Sequence, residues 1–198
     1  MRSTKLFAVW ISALALAFGA AGCRQPPEPA PGAAAVGERV ENAAAGVAIT
    51  AVPPVMKLVA VDGERIVLGL FEEGAAGEII VTPGEPEVGG INLVAAVESH
   101  KQEILQRPGG DYKGQRELGS HLGTAFYSRG RYLMSQDGDA LEEETVIFLV
   151  HPWGDRTLQL IYRYPAGEDS TERIQDHLFA LLGEIEPLAT EGTAGGGH

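Results

Sequence analysis

The stretch TVIFLV (residues 145–150), followed after a short loop by TLQLIYRY (residues 157–164), decides the fold. The first is a continuous apolar run of strand length, the mark of a strand buried on both faces. The second alternates with a period of two: Leu158, Leu160, Tyr162 and Tyr164 on one side, Gln159, Ile161 and Arg163 on the other. The loop between them is too short for a helical crossover, so the two strands are expected to pair antiparallel at the centre of a sheet.

Upstream of this pair, residues 112–118 and 123–134 read as further strands, the second rich in Thr124, Phe126, Tyr127 and Tyr132. Residues 136–139 (QDGD) read as a turn. Earlier still, residues 56–61 and 64–71 flank Asp62-Gly63, a hairpin signal because glycine readily takes the positive φ the turn needs. Residues 78–82 make a strand stopped by Pro83-Gly84. A helix is expected after Gly89-Gly90, with Asn92 as N-cap, Leu93, Val97, Ile104 and Leu105 near one face, and Pro108-Gly109-Gly110 at its end. A second helix carries a capping box, Asp169 with Glu172, then a stripe of Ile174, Leu178, Leu181 and Leu182, and stops at Gly183. The order β-β-β-α-β-β-β-β-α, joined by hairpin-length loops, predicts an α+β domain: an antiparallel sheet of six or seven strands packed with two main helices.

Outside that domain, Arg2 and Lys5 precede an apolar run over residues 6–21, broken only by Ser12. This is a charged n-region and an h-region, too short for a comfortable membrane span. Ala20-Ala21-Gly22-Cys23 resembles the lipobox of bacterial lipoproteins. The resemblance implies cleavage before Cys23 and lipidation of its thiol. Cys23 is the only cysteine, so an exported chain has no internal disulfide, and lipidation explains a thiol that would otherwise be free. Residues 1–22 are therefore expected to be a signal peptide. Residues 23–46, with Pro26, Pro27, Pro29 and Pro31, are expected to be a Pro/Ala-rich tether. Residues 47–189 form the domain, and residues 190–198 a disordered tail. The expected place is the cell envelope, lipid-anchored to a bacterial membrane and facing the periplasm or exterior.

The whole chain has a net charge of −12, and loss of Arg2 and Lys5 with the signal takes it to −14. Such acidity excludes nucleic acid or anionic headgroups as partners through bulk charge. The partners expected are the membrane, through the N-terminal lipid, and a protein or small ligand.

Residues 114–188 resemble domains of the PsbP-like superfamily, which also includes a nuclear Ran-binding protein. The resemblance rests on the tyrosine-rich strand around Phe126, Tyr127 and Tyr132, the apolar strand at 146–150, and the tight Gly154-Asp155 loop. The strand at 158–164, a helix and a closing segment at 185–188 complete it. It implies a non-catalytic assembly, stabilising or binding factor and carries over no functional residue, since no chemical motif is shared.

The search for chemistry gives little. His100, His121, His151, His177 and His198 show no H-x-x-x-H spacing, and no cysteine is left for zinc. Asp137-Gly138-Asp139 with Glu142, Glu143 and Glu144 lacks the ligand spacing of a calcium loop and reads as an exposed acidic hairpin tip. There is no nucleophile elbow and no phosphate loop. No enzyme activity and no cofactor or metal are expected. A hydrolase-like site built on His151 or His121 is the alternative, and a purely structural envelope role is a third reading. The expected interaction surface is the loop carrying His151, Trp153, Asp155 and Arg156, where an aromatic sits beside an arginine.

Overall fold

The structure, a computed structural model, describes residues 37–72, 75–134, 140–166 and 171–188. The signal segment, Cys23, the proline-rich part of the tether, the turn at 136–139, the cap residue Asp169 and the tail lie outside the described residues. So do the side chains of Glu172 and Ile174.

Seven strands form one antiparallel sheet: β3 (Met56–Asp62), β4 (Arg65–Glu72), β5 (Ala75–Pro83), β6 (Asp111–Ser120), β7 (Gly123–Leu133), β8 (Leu141–Val150) and β9 (Thr157–Pro165). Their order across the sheet is β3-β4-β5-β9-β8-β7-β6. The expected central pair is there, with Ile147 opposite Leu160 and Leu149 opposite Leu158. The expected hairpin is there too. Its ladder closes at Asp62 opposite Arg65, and Gly63 turns the corner at φ 55°.

Two helices cover opposite faces. Helix α2 (Thr171–Gly183) lays Leu178, Leu181 and Leu182 on the alternating face of β9 and β8, in a core that includes Leu158, Leu160, Tyr162, Ile147 and Leu149. Helix α1 (Leu93–Gln106) is capped as expected, with Asn92 Oδ1 accepting from the Ala95 N–H at 3.0 Å. It packs on β7, β8 and β6. Its buried positions are Val97, His100 and Ile104, whereas Leu105 is exposed. The buried stripe therefore runs 97, 100, 104 with Leu93 half-buried at its start; His100 joins the expected face and Leu105 turns to solvent. Ile104 sits so close over Gly130 of β7 that a Cβ there would overlap it.

A second, three-stranded sheet joins the ends of the described chain: β1 (Val40–Asn42), β2 (Val47–Ile49) and β10 (Ile185–Pro187), in the order β1-β2-β10. Val40, Ala45, Val47, Ile49 and Ile185 are all buried in the α2-side core. Packing thus begins within the stretch expected to be tether, and a boundary at residue 47 would cut this small sheet in two. Among the described residues no helix is long and apolar enough to cross a membrane.

Candidate functional site: the polar face beneath helix α1 and the Trp153 corner

Adjacent residues on a strand point to opposite faces, so Glu143 and Glu144 of β8 enter different halves of the molecule. They are not an exposed hairpin tip: Glu143 is 4% and Glu144 is 3% exposed. β8 continues back to Leu141, so the acids lie within the ladder and buried charges must find partners there. On the α2 side, Glu143 accepts from Tyr164 OH at 2.6 Å and pairs with Arg129 Nη2 at 3.0 Å. On the α1 side, Glu144 accepts from Arg163 Nε at 2.5 Å and from His100 Nε2 at 3.2 Å, with Arg107 Nη1 at 3.8 Å. Glu142 accepts from Tyr132 OH at 2.5 Å.

Burial alone would raise the Glu144 carboxyl. Hydrogen bonds from His100 and Arg163, with the charges of Arg163 and Arg107, outweigh it and hold the group at about 2. Burial and Glu142 push the Tyr132 phenol well above its ordinary range, so it remains a donor.

His100 Nδ1 lies 2.8 Å from Ser128 Oγ, which is 3.0 Å from Tyr112 OH. Serine, histidine and glutamate thus stand in a row. Ser128 is fully buried, so no substrate carbonyl reaches its oxygen. The row serves to fill the space beneath α1 with satisfied polar groups.

Two concavities open beside this cluster and share Arg107 and Arg163. The larger, about 660 Å³, is bounded by Tyr132, Met134, Glu142, Tyr164 and the bare backbone of Gly77. The smaller, about 260 Å³, runs under α1 past His100, Glu103, Gln159 and Phe148. Arg107 stacks over the Tyr132 ring with its guanidinium carbon 4.0 Å from the centroid, and Met134 is 61% exposed at the rim.

The residues expected to interact occupy the opposite end of β8 and β9. His151 is buried, its Nε2 donating to the Ala45 carbonyl at 2.7 Å and its Nδ1 accepting from the Trp153 N–H at 3.1 Å. Those two bonds fix a neutral tautomer, and burial pushes the imidazole pKa down. Trp153 lies edge-on to His151, with ring centroids 4.9 Å apart, and so close to Gly46 that a Cβ there would overlap the indole. It remains 38% exposed. Arg156 reaches Glu64 at 3.1 Å and Asp155 at 3.2 Å and lies 5.8 Å from the indole centroid. The loop is therefore both: His151 and the underside of Trp153 clamp the small sheet, and the outer Trp153 edge with Asp155 stays open. His121 clamps the same sheet elsewhere, donating Nε2–H to the Ile185 carbonyl at 2.7 Å. His121 and His151 hold separate carbonyls and form no joint site.

Among the described residues no group of three His, Cys, Asp or Glu side chains is placed to hold a metal ion. Sequence reasoning missed the Glu144 cluster. Its signal was present in Arg163, a charged residue on the second face of a central strand, where it needed a partner on the neighbouring strand β8.

No protein-family model matches the chain, and no curated protein matches it. Solved structures do. The Saccharomyces cerevisiae Ran-binding protein Mog1p superposes with a TM-score of 0.54 at 16% identity, covering 77% of this chain and 96% of that one. A point mutant of Mog1 gives 0.52 at 16% identity over 77% and 96%. The solution structure of the cyanobacterial PsbP of Synechocystis gives 0.46 at 10% identity over 82% and 99%. The chain shares the Mog1 fold: an antiparallel seven-stranded sheet flanked by helices, with a smaller sheet beside it.

Proposed function

We propose that this chain is a lipid-anchored, non-enzymatic accessory domain of the cell envelope that binds a protein or small-ligand partner in the groove around Arg107 and Arg163. The observation that carries the reading is the groove itself. Two arginines held in place by a buried carboxylate stand beside Tyr132, Tyr164 and an exposed methionine, the composition of an interface hot spot. The fold is that of a protein whose name states that it binds Ran, which agrees with a binding role. The histidines that a hydrolase would need are engaged in the fold: His151 through both nitrogens and His121 through Nε2. In the Ser128–His100–Glu144 row the serine hydroxyl is fully buried. The anchor rests on Cys23 and the residues before it. Two or more acyl chains make such anchoring stable where one is marginal. The outer edge of Trp153 with Asp155 is a second binding surface on this reading.

Met134→Glu tests the groove, because the residue is exposed and its change leaves the core untouched. Loss of ligand or partner retention with an unchanged melting temperature is the expected result; full retention overturns the groove assignment. Cys23→Ala is expected to move the protein from the membrane to the soluble fraction or leave it unprocessed. A wild-type mature N-terminus without acylation would overturn the anchor.

A further inference from the structure

On the α2 side of the sheet, away from the Glu144 groove, a pocket of about 250 Å³ is lined by cations and carries no acidic side chain. Lys113 and Arg116 come from the edge strand β6, Arg129 and Tyr127 from β7, and Gln175 from α2. In a chain of net charge −12 such a convergence is out of keeping with the rest of the surface.

The local geometry explains how the cations are held together. The ladder between β6 and β7 shifts register between Tyr112 and Gly114, so Lys113 is the extra residue of a bulge and leans away from the regular pleat. Gly114 sits opposite Arg129 at φ 119°, a backbone conformation that suits glycine, and a Cβ there would meet nothing within 4 Å. The missing side chain leaves the pocket open. The Arg116 guanidinium lies over the Tyr127 and Phe179 rings, 5.1 and 5.5 Å from their centroids. One amide locks the wall: Gln175 Oε1 accepts from Arg116 Nη2 at 2.9 Å, and its Nε2 donates to Tyr127 OH at 3.2 Å.

These cations are not used up by the fold. Arg116 has no carboxylate partner among the described residues, only the amide and the two rings. Arg129 pairs with Glu143 through Nη2, yet its buried Nε has no hydrogen-bond partner, and Glu143 is already shared with Tyr164. Lys113 shares Asp111 with Arg131. Three cations thus face one concavity from two strands, one without a carboxylate and one with an unpartnered Nε, and Gln175 of the helix completes the wall. A carboxylate offers two oxygens in one plane. A phosphate monoester offers three in three directions and carries up to two negative charges, which matches donors converging from separate elements.

We propose that this pocket binds a single phosphate group, carried either on a soluble ligand or on a lipid headgroup. The site is independent of the Glu144 groove, and its failure would leave that assignment standing. Affinity comes from short-range, charge-assisted hydrogen bonds that overcome the repulsion of an acidic chain, so binding is expected to depend on salt only through the local cations.

The test uses the full chain carrying Cys23→Ala, titrated with inorganic phosphate and followed by phosphorus NMR. Saturable binding is expected, weakened at least tenfold by Arg116→Gln and by Lys113→Gln and unchanged by Lys101→Gln on the other side of the sheet. If Arg116→Gln lowers the melting temperature through lost packing on Phe179, Lys113→Gln carries the comparison. Flotation with phosphatidylglycerol vesicles, against phosphatidylcholine alone, assigns the source. Arg116-dependent flotation points to a headgroup, and phosphate binding without flotation points to a soluble ligand. No saturable phosphate binding together with no flotation, or binding indifferent to both variants, overturns the proposal.

Discussion

The two faces of the seven-stranded sheet are built on different principles. Beneath α2, Leu158, Leu160 and Tyr162 meet Leu178, Leu181 and Leu182, and the core continues without a break into the small sheet through Ile49 and Ile185. Beneath α1 the apolar cluster is small, Val97 with Val146 and Phe148, and the adjoining space is filled by His100, Ser128, Glu144 and Arg163. The first face removes apolar area from water and pays for the fold. The second spends burial on charges, which stabilise little against an apolar replacement but hold Arg107 and Arg163 in fixed positions at a groove. Stability and recognition are thus divided between opposite sides of one sheet.

The comparison breaks first at α2. Leu178→Ala opens a cavity at a fully buried site and is expected to cost about 2–5 kcal/mol by denaturant unfolding. A cost comparable to that of an exposed residue would mean the helix does not carry the core. Glu144→Ala comes next, at about 2–3 kcal/mol, since it strands His100 and two arginines; Arg163 reaches water, which keeps the loss below that of a sealed pair. A larger loss than at Leu178 would reverse the division between the faces.

The polar face also makes a pH prediction. The Glu144 carboxyl is depressed to about 2 in the fold from an ordinary 4.5. Its contribution is complete above about pH 4.5 and is lost as pH falls towards 2, because the unfolded chain takes up the proton first. Unfolding of Glu144→Gln followed across that window is expected to show a flatter acid limb than wild type, and identical limbs would remove Glu144 from the account. The smallest effect is expected at the solvent side of α1. Val94→Ala, at an exposed position, should shift stability by less than about 0.5 kcal/mol.

The sequence made the α2 face legible because its signal is periodic: alternation over 157–164 and the helical spacing of Leu178, Leu181 and Leu182 leave one arrangement that buries both. Local turn and capping chemistry likewise placed Asn92 as a cap and the hairpin at Gly63. It did not find β1, β2 and β10, since three-residue strands contain too little pattern to show a period, and Val40 and Ala45 sit amid residues that read as linker. Nor did it find the site beneath α1. A run of three glutamates reads as solvated by composition, and only the partners supplied from β7, β9 and α1, distant in sequence, turn it inward. His100 in the stripe where Leu105 was expected is the same lesson: a polar side chain with two bonded nitrogens is as buried as an apolar one.

The central claim is that the groove beside Arg107 and Arg163 is the surface that meets a partner. Photo-crosslinking in intact cells tests it most directly, with a photoreactive residue placed in turn at Met134 in the groove, Trp153 at the far corner and Val94 on the outer side of α1. The account predicts a discrete crosslinked species from Met134, a weaker one from Trp153, and none from Val94. Equal capture from all three positions, or capture from Val94 alone, would contradict it.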